Sequence, residues 1–276
     1  MDSQQLSVLM VVCEKDSYKY LEQSLFSIYN QSHKPEEVIL IKNGYFNEVH
    51  LKNIEKKFIK KLNLKIYSLQ KNYGLAYALN YGLSKCKYEL VARMDPDDIS
   101  LSNRFLLQVE FMKKNPHIVA SSAWIEEFSE DLMISKGIRK TPLGDITLEN
   151  KYAKSRSPLN HIPSILRKSI ILKLGGYPNF LKGQDYALWA LILVNGYTIK
   201  NIPKVLAKVR SSSSTTDRRG ILRLYSEIPL LIYQYKISFL NLHEFIFSLI
   251  LRITIRLLPF GLRKIIFKKL RVKVDL

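Results

Sequence analysis

The residues best placed for chemistry are Asp95, Asp97 and Asp98, three carboxylates within four positions, just after the apolar run Tyr88–Ala92. Carboxylates at the C-terminal end of a strand face the crevice in which open α/β sheets bind ligands. Like charges crowded there raise the electrostatic energy unless a cation or hydrogen-bond donors offset it. A hard divalent ion, Mg²⁺ or Mn²⁺, meets that need, because it takes oxygen ligands and is commonly completed by substrate phosphates. Asp-Pro and Asp-Asp are also ordinary turn chemistry, so on its own the cluster reads equally as a solvated turn.

The elements around the cluster narrow the choice. Leu6–Val12 is a β-branched apolar run, and Tyr20, Leu21, Leu25 and Ile28 then recur at helical spacing. Val38–Ile41 reads as a second strand, stopped by Lys42-Asn43-Gly44, and Val49–Leu62 as a lysine-rich amphipathic helix. Leu64–Leu69 is a third strand, Leu75–Leu83 a helix and Tyr88–Met94 a fourth strand. This alternation predicts an α/β fold with a parallel, doubly wound sheet of nucleotide-binding type, the acidic cluster lying at the end of its fourth strand. Downstream, Asn103–Lys114 reads as a helix, Ile118–Phe128 as a strand and Ser164–Leu174 as a short helix. Asp185–Val194 is an apolar helix with an acid at its N-terminus. Lys136–Pro163 has no clear period and reads as loops around a site, and Ser211–Thr216 as a polar loop. No Gly-rich phosphate loop of the Walker or dinucleotide pattern is present.

Charge points to an anionic partner. The 276 residues carry 43 Lys and Arg against 24 Asp and Glu, a net +19, which implies nucleic acid, a phosphorylated small molecule or an anionic membrane. From Arg218 onward there are twelve Lys/Arg and three acids, so nearly half the excess lies in the last fifth of the chain. Apolar runs in that tail, such as Phe245–Leu251, are interrupted by Arg252, Arg256 and Pro259, too soon for a spanning helix. Residues 221–276 are therefore expected to be a basic amphipathic tail lying on an anionic bilayer, after a catalytic domain over residues 1–220. Packing of the tail on the domain is the alternative. The polar, acidic N-terminus lacks signal-peptide character, and Cys13 and Cys86 lie in apolar contexts, so a cytoplasmic protein with free thiols is expected.

Several motifs together resemble glycosyltransferase family 2, the inverting nucleotide-sugar enzymes of the GT-A fold. They are Ser7–Val12, Ser27-Ile28-x-x-Gln31, Asn72-x-Gly74-Leu75, Leu79-Asn80-x-Gly82, Arg93-Met94-Asp95-x-Asp97-Asp98 and Arg104. The likeness continues through Asn160-His161-x-Pro163-Ser164, Gly175-Gly176-Tyr177, Asp185-Tyr186-x-Leu188-Trp189 and Arg218-Arg219-Gly220. Enzymes that build bacterial O-antigen and exopolysaccharide repeat units are the nearest in character.

The resemblance implies roles. Asp95 and Asp97 match the Asp-x-Asp motif that holds the nucleotide and the Mn²⁺ or Mg²⁺, with Asp97 the direct metal ligand and Asp98 in support. Asp185 matches the catalytic base, although its position would equally suit a helix cap. Arg218 and Arg219 match a basic position that closes over the donor diphosphate. His161 and, less strongly, Trp124 are candidates for the acceptor side, with structural roles as the alternative. Two departures stand out. Lys42-Asn43-Gly44 replaces an acid pair that reads uracil in many relatives, leaving Asn43 as the base contact, and Gln184 replaces an acid before Asp185. The expected reaction moves a hexose, glucose or galactose, from a UDP-sugar to an N-acetylhexosamine on diphosphoundecaprenol, in a β-linkage, at the cytoplasmic face of the inner membrane. The competing readings are a nucleotidyltransferase, which would want a Gly-rich basic loop after the first strand, and a nucleic-acid-binding module, which would want its basic charge along a polar face.

Overall fold

The computed structural model describes residues 5–211 and 223–258. Arg218, Arg219, nearly all of the polar loop and residues 259–276 of the tail lie outside these residues. The first half alternates as the sequence predicts: β1 (Leu6–Val12), α1 (Tyr18–Tyr29), β2 (Glu37–Asn43), α2 (Glu48–Leu62), β3 (Leu64–Leu69), α3 (Leu75–Lys85) and β4 (Leu90–Met94). The four strands are parallel, in the order β3-β2-β1-β4. Every residue of β1 is buried, as a strand covered on both faces requires. Leu9 and Val11 pack on one side with Leu79 and Leu83 of α3. Leu6, Val8 and Met10 pack on the other with Leu25 of α1 and Phe58 of α2.

The second half departs from a purely parallel sheet. It runs β5 (Ile99–Ser100), α4 (Arg104–Lys114), β6 (Ile118–Phe128), β7 (Ser135–Arg139), β8 (Asp145–Ile146), α5 (Lys151–Ser155), β9 (Ile165–Arg167), α6 (Lys168–Lys173), α7 (Gln184–Val194) and β10 (Thr198–Arg210). The segment Ser164–Leu174 is not one helix. Its first residues form β9, which runs antiparallel between β4 and β6 and closes the sheet. Ile165 and Leu166 are almost wholly buried there, so strand pairing overrides the helical spacing of that stretch. The region Lys136–Pro163 holds two short strands and a short helix among its loops. β10 carries no strand signature in sequence, since Lys200, Pro203, Lys204 and Lys208 interrupt it. It forms by pairing parallel to β6, with irregularities around Ile202 and Val205 that absorb the proline.

The expected boundary at residue 220 is not a boundary of packing. The helix α8 (Leu224–Lys236) places Leu230 and Leu231 in the main core beside Trp189, and the turn after it adds Phe239 and Leu240. Among the described helices, only α9 (Leu242–Leu257) contributes no fully buried residue. It starts at a capping box formed by Asn241 and Glu244 and is tied to α5 through Lys154–Glu244 at 2.8 Å. The orientation of α9 reverses the one expected for a basic helix on headgroups. Arg256 turns inward to Glu227 of α8, whereas Phe247 (68% exposed), Ile250 and Leu257 point outward. Among the described residues no helix is long and apolar enough to cross a membrane.

If α8 belongs to the core, Leu231→Ala should lower the unfolding free energy by about 2–5 kcal/mol, the usual range for emptying a buried leucine site. A chain ending at residue 220 should then lose its cooperative urea transition. Unchanged unfolding of both would make α8 an appendage.

Candidate active site

The acidic motif follows β4. Ser24 of α1 donates its hydroxyl to the Asp95 carbonyl at 2.8 Å. Arg210, the last residue of β10, donates its backbone N–H to the Asp98 carboxylate at 2.8 Å. The Arg210 guanidinium donates to the carbonyls of Asp97 and Glu130 and lies over the Tyr20 ring. With this clamp in place, carboxylate oxygens of Asp95, Asp97 and Asp98 all lie within 4.8 Å of one another. Burial pushes the Asp97 carboxyl up to about 6, and the Asp95 charge adds to it. Burial, followed by Asp95 and Asp97, raises Asp98 well above the ordinary carboxylate range. Hard oxygen donors that raise one another's proton affinity are a set that a divalent cation suits, since it relieves the repulsion that protons would otherwise relieve. Asp16, in the loop after β1, stands near them: burial raises its pKa and Asp95 contributes to the rise.

Arg93 sits at the centre of the site. It is only 3% exposed, and its Nη1 makes an ion pair with Asp95. Neither Nε nor Nη1 has a well-aligned hydrogen bond, so the pair is a charge contact and not a bidentate fork. The fully buried Arg104 holds the backbone in place by donating to the carbonyl of Arg93 at 2.7 Å and of Ile162 at 3.2 Å. The Arg93 charge acts on Asp97, Asp98, His161, Tyr177 and Asp185, so it couples the acidic motif to the start of α7.

Asp185 lies in the first turn of α7, after Gly183 as N-cap. The N–H groups of that turn, Arg93 and Arg139 all favour its charged form, but burial outweighs them and the pKa is raised. The macrodipole alone would predict the opposite direction. His161 is half-buried, with Nε2 3.2 Å from the Tyr177 hydroxyl and its ring edge-on to Tyr177 and Trp189. Burial, then Arg93, holds its pKa well below the usual histidine value, so the ring is neutral at pH 7 and offers a phosphate no charge.

Two motifs of the sequence turn out to be one contact. Asn80 accepts the Tyr177 N–H at 2.7 Å and donates to the Tyr177 carbonyl at 2.9 Å. Gly176 passes this point at φ +79°, and an added Cβ would stand 2.3 Å from the Asn80 Oδ1. Asn160 likewise serves its neighbours, donating to the Ala123 carbonyl at 2.8 Å. Asn43 has a similar duty. Its amide donates to Asn72 Oδ1 at 3.0 Å and to the Gly74 carbonyl at 3.3 Å, while its oxygen accepts the Tyr73 N–H. Both donors of Asn43 are thus engaged within the protein, where it shapes the Asn72–Gly74 loop. Trp124 stands apart on β6, its indole N–H bonded to the Thr141 carbonyl at 3.1 Å.

The structure therefore gathers Asp95, Asp97, Asp98, His161 and Asp185 around Arg93, and sets Asn43 and Trp124 in supporting positions. Residues 7–175 match the family model described as Glycosyl transferase family 2. The chain belongs to glycosyl transferase family 2. Among relatives of this transferase, an Escherichia coli UDP-Gal:alpha-D-GlcNAc-diphosphoundecaprenol beta-1,3-galactosyltransferase is 39% identical over 97% of both chains. The amylovoran biosynthesis glycosyltransferase AmsE of Erwinia amylovora is 34% identical over 95% of this chain and 98% of its own. In fold, the family 2 transferase superposes on S. aureus TarS 1-349 with a TM-score of 0.62 at 20% identity, over 83% of this chain and 65% of that one.

Sequence reasoning quoted Arg93 within a motif without a role and missed Asp16 and Arg210 altogether. Nothing marks Arg210 in sequence, because its strand is itself unmarked.

The raised pKa of Asp185 has a consequence for stability. In the unfolded chain its carboxyl ionises near the ordinary value of about 3.9. The folded state holds the proton to higher pH, so folding stability falls as pH rises from there through the raised pKa. Asp185→Asn, which removes the ionisation and keeps the shape, should therefore melt above the parent at pH 8, by on the order of a few degrees. The difference should shrink towards pH 4. A variant that melts lower at pH 8 would contradict the burial of this charge.

Proposed function

We propose that this family 2 transferase moves galactose from UDP-galactose onto the N-acetylglucosamine of a diphosphopolyprenol-linked acceptor, with inversion to a β-1,3 bond. The observation that carries the reading is the likeness, over nearly the whole of both chains, to the E. coli enzyme of that specificity; it favours galactose over glucose. In this reading the acceptor hydroxyl attacks the anomeric carbon, the bond to the UDP β-phosphate oxygen breaks, and its electron pair leaves with UDP. Asp185 takes the hydroxyl proton. A raised pKa suits a base that works near neutral pH. Asp95 and Asp97 hold the Mn²⁺ or Mg²⁺ and the nucleotide, with Asp98 bracing them from below. Bound there, the cation neutralises charge on the leaving diphosphate as a Lewis acid. Arg93 keeps this anionic assembly in register and supports the ionised form of Asp185. His161, paired with Tyr177, is the candidate for contact with the acceptor. Arg218 and Arg219 remain candidates for covering the diphosphate.

Such an acceptor stays at a bilayer, and the enzyme is proposed to work as a peripheral protein on the cytoplasmic face of the inner membrane. The outward apolar side of α9 and the basic tail support that placement, the first by burial in the interface and the second by attraction to anionic lipid.

The test is to incubate the enzyme and Mn²⁺ with a panel of UDP-sugars and a synthetic GlcNAc-diphospholipid, then to characterise the disaccharide. Galactose in a β-1,3 bond is expected, with activity abolished by EDTA and restored by Mn²⁺ or Mg²⁺. Asp185→Asn should lower kcat by about 10²–10⁴-fold, the usual contribution of a general base, with UDP binding retained. Transfer of a different sugar, or near-normal turnover of that variant, would overturn the corresponding assignment.

A further inference from the structure

A groove of about 930 Å³ opens beside Asp185 and runs between α5, α7, α8 and α9. Eight Lys or Arg side chains line it against four carboxylates, so its field favours an anion. Some of these cations already have partners: Lys154 pairs with Glu244, and Arg223 and Arg256 converge on Glu227. Others are less fully engaged. Among the described residues, no hydrogen bond or ion pair engages the side chains of Lys151, Lys182 or Arg252, Glu227 acts on Arg252 only through its charge, and Arg156 lies over the Tyr152 ring and near Tyr186. Arg252 is half-buried, and loss of solvent lowers its pKa, which is the condition of a cation that gains most from an anionic partner.

The same groove has an apolar wall. Phe247, Leu251 and Ile255 of α9 line it, and Phe247 and Leu251 are 68% and 46% exposed, so this wall continues onto the outer surface. The Asp95–Asp98 cluster is not part of it. A nucleotide diphosphate completed by a metal therefore belongs at the cluster. A ligand of this groove has to combine three things: a hydroxyl for Asp185, an anion for the basic side chains and a hydrocarbon for the apolar wall. We infer that the groove is the binding site for a sugar-diphospho-polyprenol acceptor, with Arg156, Lys151 and Arg252 taking the diphosphate and Phe247 and Leu251 the first isoprene units. This rests on the reading of Asp185 as the base that meets the acceptor. It gives the inward turn of the α9 arginines a purpose, since a helix that only adsorbed to headgroups would direct them outward.

The test uses the full-length protein at saturating UDP-galactose and three acceptors: a GlcNAc-diphospholipid, GlcNAc-diphosphate with a methyl group in place of the chain, and a GlcNAc alkyl glycoside without phosphate. Lys151→Gln, at an exposed position that leaves folding untouched, and Arg252→Gln should each raise KM about tenfold for both diphosphates, the usual worth of a charge-assisted contact. They should leave kcat, donor KM and the phosphate-free acceptor unchanged, and Arg252→Lys should recover most of the loss. Phe247→Ser should raise KM for the diphospholipid alone. Unaltered acceptor KM in these variants would overturn the inference, as would equal losses on all three acceptors. Reduced binding to phosphatidylglycerol vesicles with unchanged KM for the methyl diphosphate would assign the cations to lipid headgroups and overturn it too. Equilibrium binding of the diphospholipid without donor separates the two readings. A parent that binds it, weakened about tenfold by Arg252→Gln, upholds the groove even if no galactose is transferred; a parent that fails to bind it overturns the groove whatever sugar is moved.

Discussion

A buried guanidinium among carboxylates is the constraint on which the site depends. Arg93 is withdrawn from water at the end of a central strand, and a lone charge there would be strongly unfavourable. The Asp95 carboxylate meets it directly, and the charges of Asp97, Asp98 and Asp185 lie within its reach. The dependence is mutual. Burial raises the pKa of Asp97, Asp98 and Asp185, and Arg93 is the fixed cation that opposes the rise for all three. Its position is in turn set by Arg104, which joins the β4 backbone to the loop that carries His161. The acidic motif and Asp185 are thus coupled to one another through a single side chain.

The same backbone is held by other motif residues. Asn80, Asn160, Gly176 and Arg104 fix the segments that carry Tyr177, His161 and Arg93. A resemblance carried by such residues is a resemblance of scaffold first. Asn43 belongs with them. At the end of β2 its amide bonds into the Asn72–Gly74 loop, where an added Cβ on Gly44 would stand 2.7 Å from the Asn72 backbone.

What was legible in the sequence follows from what each signal depends on. The β1–β4 half was readable because each strand there is a short apolar run between amphipathic helices, so local pattern and global fold agree. β9 and β10 were not. Their strands exist through pairing with β4 and β6, which no local period records, and the irregularities near Pro203 erase the alternation that would mark β10. The carboxylates could be named because acids at a strand end are rare and costly. Arg210, Arg252 and Arg256 could not, because a basic residue reads as surface until the fold shows which way it turns.

That last point bears on the strong positive charge of the chain. Charge on an outer face binds any anionic surface and is screened by salt over about 8–10 Å. Charge turned into a groove beside an apolar wall acts over contact distance and is screened far less. The described part of α9 is of the second kind, with Arg252 and Arg256 in the groove, Phe247 and Leu251 along its rim, and Ile250 and Leu257 outside. On the proposed reading, contact with the bilayer and selection of an anion are separate tasks, given to different faces of one helix. A helix built this way need not hold the membrane tightly, because the hydrocarbon it meets and the diphosphate it selects can belong to the same molecule.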